Sequence, residues 1–448
     1  MDLAELQSKR VAVAGFGVEN KALAHFLVDN GAIITVLDQN PDASIPDEYE
    51  SILGPHAFDA ADTFDVVFRS PGVKPGLFPE ATVFSSATQL FLSHFRDQTV
   101  AVTGSKGKGT TCTLLHKMLM SAGLDAKLVG NIGESAIGIW GDISSETIIV
   151  YEISSFQLID IDVSPHWAVS LMIVPEHLDW HADMEEYIEA KSHISCNQKT
   201  GDISIYFKGH ELSKRVAYRG EGDKLAFGDK TTAHIRENSV YYGETKIIDI
   251  EAVGLLGHHN LQNVCAALTA FWVIASEKGQ TQAEIVPAAR GAIASFTGLE
   301  HRLELVGKSG DIRFYNDSQA TTPLAALAAI DAFPDQKICL IAGGSDKGAD
   351  IAEFARDLAL RPQVKYIQII GATGPDLARE LEQEGFSNFK VYGHGDFSQL
   401  LPESMEALSG SGVVLLSPGF ASFGLFDNYK QRGTLFKQAA KACASTEQ

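Results

Sequence analysis

The chain has 448 residues, 45% apolar and 21% charged, which is more than one ordinary core needs and suggests about two to four domains. Its 36 basic and 57 acidic side chains give a formal charge of −21 with no Lys/Arg-rich block, so it is not built to read a nucleic-acid backbone, and anionic ligands must be met locally. The five scattered cysteines show neither metal-ligand spacing nor a disulfide framework, and no run of eighteen apolar residues occurs, so the expectation is a reduced, cytoplasmic protein without signal peptide or membrane span.

Three blocks of alternating strand and helix patterns follow one another, the pattern of an α/β chain. The first opens with "RVAVAGFGVENKALAHFLVDNGAIITVLDQN" and fades near residue 95. Gly15 and Gly17 follow an apolar strand, and Asp38 ends the next one, which is most of a dinucleotide fingerprint. Asn20 stands where the third glycine belongs, so the turn suits the phosphate and sugar of a mononucleotide, or is a plain βα turn.

The second block begins with the strand "QTVAVTG" and runs into "GSKGKGTT" and a helical pattern, the strand-loop-helix context of a phosphate-binding loop. Gly104, Gly107 and Gly109 free the backbone to turn amides inward, and Lys108 adds a cation. Gly109 occupies the place of the hydroxyl residue that normally helps hold Mg²⁺, leaving that part to Thr110 or Thr111. Glu152 ends the strand "ETIIVYEIS", and His177 follows the strand "WAVSLMIV". Both fall at strand C-termini, where ligands collect in open α/β sheets, and both can ligate a divalent ion. Lys191 lies in the helical stripe of Met184, Tyr187, Ile188 and Ile194, where it either snorkels at the edge or faces the site. Residues 200 to about 255 read as antiparallel strands, followed by the helix "NLQNVCAALTAFWVIAS".

The third block offers three loops after strands. "YNDSQATTP" carries Asp317, Ser318 and Thr321, with Pro323 opening a helix; "GGSDKG" carries Lys347; "SPGFASFG" carries Ser422. Together they offer hydroxyls and a cation suited to a small carboxylate ligand.

"GSKGKGTT", "GNIG", "EISSFQL", "EHLDWH" with "EAKSHI", "GHHNLQN", "GLEHRLE", "NDSQATT", "GGSDKGAD" and "LLSPGFASFGLFDNYKQRG" occur in an order that resembles the Mur ligases of peptidoglycan synthesis, and the resemblance covers nearly the whole chain. It implies Rossmann-like N- and C-terminal domains flanking a central P-loop ATPase domain: residues 1–95 for the UDP end of the substrate, 96–299 for ATP, 300–448 for the incoming glutamate. It implies that Gly15, Phe16, Gly17, Val18, Asp38, Gln39, Ser70 and Gly72 meet the UDP group, and that Asn131, Ser154 and Gln157 lie along the muramoyl-alanine path. Gly104, Ser105, Lys106, Gly107, Lys108, Gly109, Thr110 and Thr111, with Asn260, Asn263, Arg302 and Asp317, would hold ATP. Thr110, Glu152, His177 and a carbamylated Lys191 would hold Mg²⁺, and Thr321, Lys347, Ser422 and Tyr429 the glutamate. The implied reaction is ATP-dependent amide formation between UDP-N-acetylmuramoyl-L-alanine and glutamate by a cytoplasmic monomer, with Lys108, Glu152, His177 and Lys191 catalytic. Lys347 and Ser422 match the D-glutamate-adding group. Gln319, where that group usually has lysine, and Tyr429, where it commonly has phenylalanine, depart from its pattern, and "PEHLDWH", "TTP" and "SPGFASFG" are closer to an L-glutamate-adding branch; the balance favours D-glutamate. The rival readings are a folylpolyglutamate synthetase, an NAD-dependent oxidoreductase built on the Gly15 turn, and a catalytically silent nucleotide binder.

Overall fold

The structure, a computed structural model, describes residues 3–255, 258–345 and 348–445. Lys347 lies outside the described residues. Chain contacts divide into two compact units: residues 1–253 with 258–296, and residues 254–257 with 297–448.

In the first unit, β1 (Val11–Ala14), β2 (Ile34–Asp38), β3 (Glu50–Leu53), β4 (Val66–Arg69) and β5 (Phe84–Ser85) form a sheet ordered β3-β2-β1-β4-β5. Every pairing in it is parallel. Helices cover such sheets on both faces, so the central strands are continuous apolar runs, and β1 and β4 are buried throughout while the edge strand β3 is exposed.

A second parallel sheet is built from β6 (Thr99–Thr103), β7 (Ala126–Gly130), β8 (Ile148–Glu152), β9 (Trp167–Ser170), β10 (Ile203–Phe207) and β11 (Asp223–Phe227), in the order β11-β10-β9-β6-β8-β7. The antiparallel reading of residues 200–255 is thus half wrong. β10 and β11 are linked by the helix Glu211–Ala217 and extend the parallel sheet, because a crossover helix returns the chain in the same direction. The antiparallel strands follow: β12 (Ala233–Arg236), β13 (Ser239–Tyr242) and β14 (Thr245–Asp249). One apolar cluster, including Val13, Phe68, Phe91, Ile149 and Tyr151, joins the first two sheets into a single core.

The second unit has β15 (Glu304–Ser309), β16 (Asp311–Asn316), β17 (Ile338–Ala342), β18 (Val364–Ile370), β19 (Phe389–Tyr392) and β20 (Ser411–Leu416), ordered β15-β16-β20-β17-β18-β19. The β15–β16 pair is antiparallel and the other pairs are parallel. Apolar clusters of this unit's own residues lie on its sheet, around Leu340 and Phe354 and around Phe314 and Leu416.

Candidate active site

β6 lies between β8 and β9, and all three run parallel, so the chain segments leaving Thr103, Glu152 and Ser170 emerge at one edge. The loop after β6 turns at Gly104 and Gly107, with φ of 149° and 90°. A Cβ at Gly104 would lie 2.7 Å from Leu171 Cβ, and one at Gly107 would lie 2.2 Å from Asn263 Oδ1, so only glycine fits either place. The helix Lys108–Ser121 starts there and aims its N-terminal amides back at the loop. Lys108 Nζ donates to Gly104 O at 2.8 Å and Ser105 O at 3.1 Å. Burial draws the Lys108 ammonium below the usual lysine range, and Glu152 and Glu176 push it back up. Ser105 anchors the loop: its Oγ donates to Val174 O at 2.8 Å, accepts from Val174 N at 2.9 Å and meets Tyr187 OH at 2.9 Å. Lys106 pairs with Glu176.

Thr110 and Thr111 occupy the helix's first turn, the former 7% exposed and the latter 0%. Thr111 Oγ1 has no hydrogen-bond partner among the described residues. Glu152 is buried at the end of β8. His177 has a left-handed backbone, φ 59°, which a non-glycine residue adopts rarely and which marks a constrained position. Burial lowers its pKa, and although Glu176 opposes this, Lys108 and Lys191 add to it, favouring the neutral imidazole that can ligate a metal.

Lys191 does not snorkel. It is 1% exposed on the helix Met184–Cys196, with Nζ 3.0 Å from Gly104 O, 3.5 Å from Thr103 Oγ1 and 4.5 Å from the Tyr187 ring centroid. Burial, with repulsion from Lys108, holds its amine well below the usual lysine range. As an ammonium it repels a metal, and as a free amine it offers only a nitrogen, where a hard divalent cation prefers oxygen. As a carbamate it would add carboxylate oxygens beside Glu152, neutral His177 and the hydroxyls of the helix's first turn. That donor set fits a hard divalent cation.

Seven of the eight anticipated UDP residues line one cleft of about 290 Å³: Gly15, Phe16, Gly17, Asp38, Gln39, Ser70 and Gly72. Val18 is the exception, 89% exposed at the start of the helix Val18–Asp29, where its side chain turns to solvent. Asp38 holds the turn, accepting from Phe16 N at 2.8 Å and Asn40 N at 2.9 Å. Asn20, read as a defect in the glycine pattern, is buried and donates to Ala14 O, Gly15 O and Phe68 O at 3.1, 3.0 and 3.2 Å.

Asn131, Ser154 and Gln157 come together as well. Gln157 Oε1 accepts from Ser154 N at 3.0 Å, Ser154 Oγ at 2.9 Å and Asn131 Nδ2 at 3.5 Å, within a capping box on the helix Ser155–Leu158. Gln157 Nε2 donates to Glu19 Oε2 at 3.2 Å. Glu19 was not anticipated; burial raises its carboxyl pKa against hydrogen bonds from Gln157 and Thr88. The Ser-x-x-Gln spacing in "EISSFQL" was the available signal for this box. His181 was also missed: it is buried, with Nε2 2.9 Å from Ser155 Oγ.

Asn263 packs on Gly107 and donates from Nδ2 to Asn260 Oδ1 at 2.9 Å, so both lie beside the loop that follows β6. Arg302 and Asp317 belong to the second unit. Asp317 accepts from Ser417 Oγ at 2.7 Å and Leu303 N at 3.1 Å, and burial pushes its carboxyl up to about 7, with Arg302 opposing. Thr321 lines a cavity of about 500 Å³ with Ser345, Phe354 and Phe420. Ser422 and Tyr429 are not among its walls. Ser422 is buried, and Tyr429 opens the helix Tyr429–Ser445 with its carbonyl accepting from Ser318 Oγ at 2.8 Å. The fully buried Arg432 holds Ser318 O at 2.9 Å and Phe420 O at 3.1 Å; it sits in the quoted "NYKQRG" without having been singled out.

Residues 102–271 match the Mur ligase middle domain and residues 301–420 the Mur ligase glutamate ligase domain. The chain is 33% identical to the UDP-N-acetylmuramoylalanine–D-glutamate ligase of Ruminiclostridium cellulolyticum, over 97% of each chain. It is also 33% identical to the enzyme of that name from Symbiobacterium thermophilum, over 97% of this chain and 98% of that one. In fold it is similar to MurF of Acinetobacter baumannii, with a TM-score of 0.58 and 16% identity over 98% of this chain and 93% of the other. The MurF ligase of Thermotoga maritima in complex with ADP gives 0.54 and 18%, over 98% and 97%. With this similarity running from end to end, the chain belongs to the Mur ligase family.

Proposed function

We propose that the chain is an ATP-dependent amide ligase that adds D-glutamate to UDP-N-acetylmuramoyl-L-alanine in peptidoglycan precursor synthesis, acting as a cytoplasmic monomer. The observation that carries the reading is the convergence of Lys108 and the buried amine of Lys191 on the carbonyl of Gly104 in a phosphate-binding loop, in a chain whose relatives bear that enzyme's name. Residues 1–95 take the UDP end, 96–299 the ATP and 300–448 the glutamate.

The chemistry begins with the substrate. A carboxylate repels an attacking amine and has no usable leaving group, so the alanyl carboxylate first takes the γ-phosphoryl group of ATP. ADP leaves, and the acyl phosphate formed then loses phosphate to the amine of glutamate, which gives up a proton as the amide forms. Lys108 and the amides of the helix Lys108–Ser121 offset charge on the transferring group. Asn131, Ser154 and Gln157 orient the alanyl end, and Asn260 and Asn263 flank the nucleotide. Burial and repulsion from Lys108 favour the unprotonated amine of Lys191, which adds its nitrogen to CO₂ and releases a proton, becoming a carbamate. Thr110, Glu152, His177 and that carbamate would hold Mg²⁺, which when bound supplies charge neutralisation for phosphoryl transfer.

Addition of L-glutamate is the second reading, supported by "PEHLDWH", "TTP" and "SPGFASFG" and by Gln319 in place of the lysine usual in the D-glutamate group. Incubation with ATP, Mg²⁺, UDP-N-acetylmuramoyl-L-alanine and each glutamate enantiomer decides. Phosphate release with the D form only is the expected result; release with the L form only moves the assignment to that branch, and release with neither sinks the ligase reading.

A further inference from the structure

Arg69 ends β4 and has a fully buried side chain whose hydrogen bonds run in two directions. Towards its own loop, Nη1 donates to Ser70 O at 3.0 Å, Pro71 O at 3.3 Å and Val73 O at 2.6 Å. Across to the central sheet's domain, Nε and Nη2 grip the Asp160 carboxylate at 2.7 and 3.0 Å, and Nη2 also donates to Phe156 O at 3.0 Å. Those contacts employ all of a guanidinium's donor nitrogens, in the planar fork geometry that lysine cannot reproduce.

What Arg69 holds on each side gives it meaning. Ser70, Gly72 and Val73 line the 290 Å³ cleft with Gly15, where an added Cβ would lie 2.6 Å from Val73 Cγ2 and 3.0 Å from Ser70 Cβ, so this loop packs directly on the Gly15 turn. Phe156 and Asp160 flank Gln157, the residue that gathers Ser154 and Asn131. The same loop is held from a third side by the segment that carries His177: Trp180 Nε1 of that segment donates to Gly72 O at 3.3 Å, and Lys74 Nζ of the loop donates to Asp179 O at 3.2 Å. A buried ion pair is a poor source of stability because desolvation offsets most of its attraction, but it fixes geometry.

We propose that Arg69 is a positioning residue for the nucleotide-sugar substrate: it sets the wall of the UDP cleft and ties it to the segment 154–160, keeping the two ends of one long substrate in register. The proposal rests on the ligase reading and adds to it a residue that touches no reacting atom. Arg69→Lys keeps the charge but loses the fork, and Asp160→Asn leaves the loop contacts while removing the charged grip. With initial rates and UDP titration calorimetry, Arg69→Lys raises KM for UDP-N-acetylmuramoyl-L-alanine about tenfold and Asp160→Asn about threefold, with KM for ATP within about twofold of native. UDP affinity falls in parallel with KM. If Arg69→Lys does not fold, as judged by its melting curve, Asp160→Asn carries the comparison alone. An unchanged KM for the nucleotide sugar in the folded variants, or an equal rise in KM for ATP, overturns the positioning role while native activity leaves the ligase reading standing. A native protein that releases no phosphate with this substrate overturns both.

Discussion

Lys108 and Lys191 bring two amines to the carbonyl of Gly104, an arrangement that costs free energy while both are charged and that loss of the Lys191 proton relieves. A lysine with that role is replaceable by chemistry rather than by packing. Lys191→Ala is expected to lower turnover by about 10²–10³-fold, and a small added carboxylate such as formate to restore part of it, because the cavity left behind accepts the missing oxygens. Full activity without any additive would remove the carbamate from the mechanism. Asp317 is the opposite case, an acid whose pKa burial pushes up to about 7. Between the unfolded carboxyl value of about 3.9 and this folded value, the native protein binds a proton that the unfolded chain does not, so stability falls as pH rises through that window and levels off above it. Asp317→Asn should abolish this component. Urea midpoints at pH 5 and pH 8, compared between native and variant, measure it, and identical pH slopes in the two proteins would show that Asp317 is not the titrating group.

At the scale of the element, the helix Lys108–Ser121 shows how one turn separates two similar residues. Thr111 is fully buried, its hydroxyl without a partner among the described residues, whereas Thr110 keeps a residual exposure through which a metal could reach it. Thr111→Val exchanges that hydroxyl for a methyl group of the same shape and is expected to raise stability by about 1 kcal/mol without loss of turnover. Thr110→Val should weaken the dependence of rate on Mg²⁺ concentration. A Thr111→Val enzyme that loses Mg²⁺-dependent activity while Thr110→Val keeps it would reverse the assignment. Elements of this kind were legible in the sequence because buried parallel strands are continuous apolar runs and because glycines mark sharp turns between strand and helix. What escaped was the use of polar side chains across long separations. Arg69 reads as a basic residue at a strand end, and its partner Asp160 lies 91 residues away; Asn20 reads as a broken glycine pattern, yet it braces the turn against Phe68 O, 48 residues on. Local periodicity carries no trace of such pairs, and neither does it separate β10 and β11 from the antiparallel strands after them, since the crossover helix between them is only seven residues long.

Across the whole molecule, apolar clusters of the described residues keep to their units: those that include Phe68 and Phe58 draw on first-unit residues, and those that include Leu340 and Phe314 on second-unit residues. Hydrophobic stabilisation is local to the surface removed from water, so a cavity in one core should be felt in that unit first. The sequence supplies its own reporter, because Trp140, Trp167, Trp180 and Trp272 all fall in the first unit, whereas backbone circular dichroism sees both. Leu340 is fully buried in the centre of β17, and its truncation to alanine removes apolar contacts that the sheet cannot close over. Leu340→Ala is expected to destabilise the second unit by about 2–5 kcal/mol. In urea, the circular dichroism transition should then split, with an early phase at lower denaturant, while the tryptophan fluorescence midpoint stays where it is in the native protein. If both probes shift together by the same amount, the two cores unfold as one cooperative body, and stability cannot be assigned unit by unit.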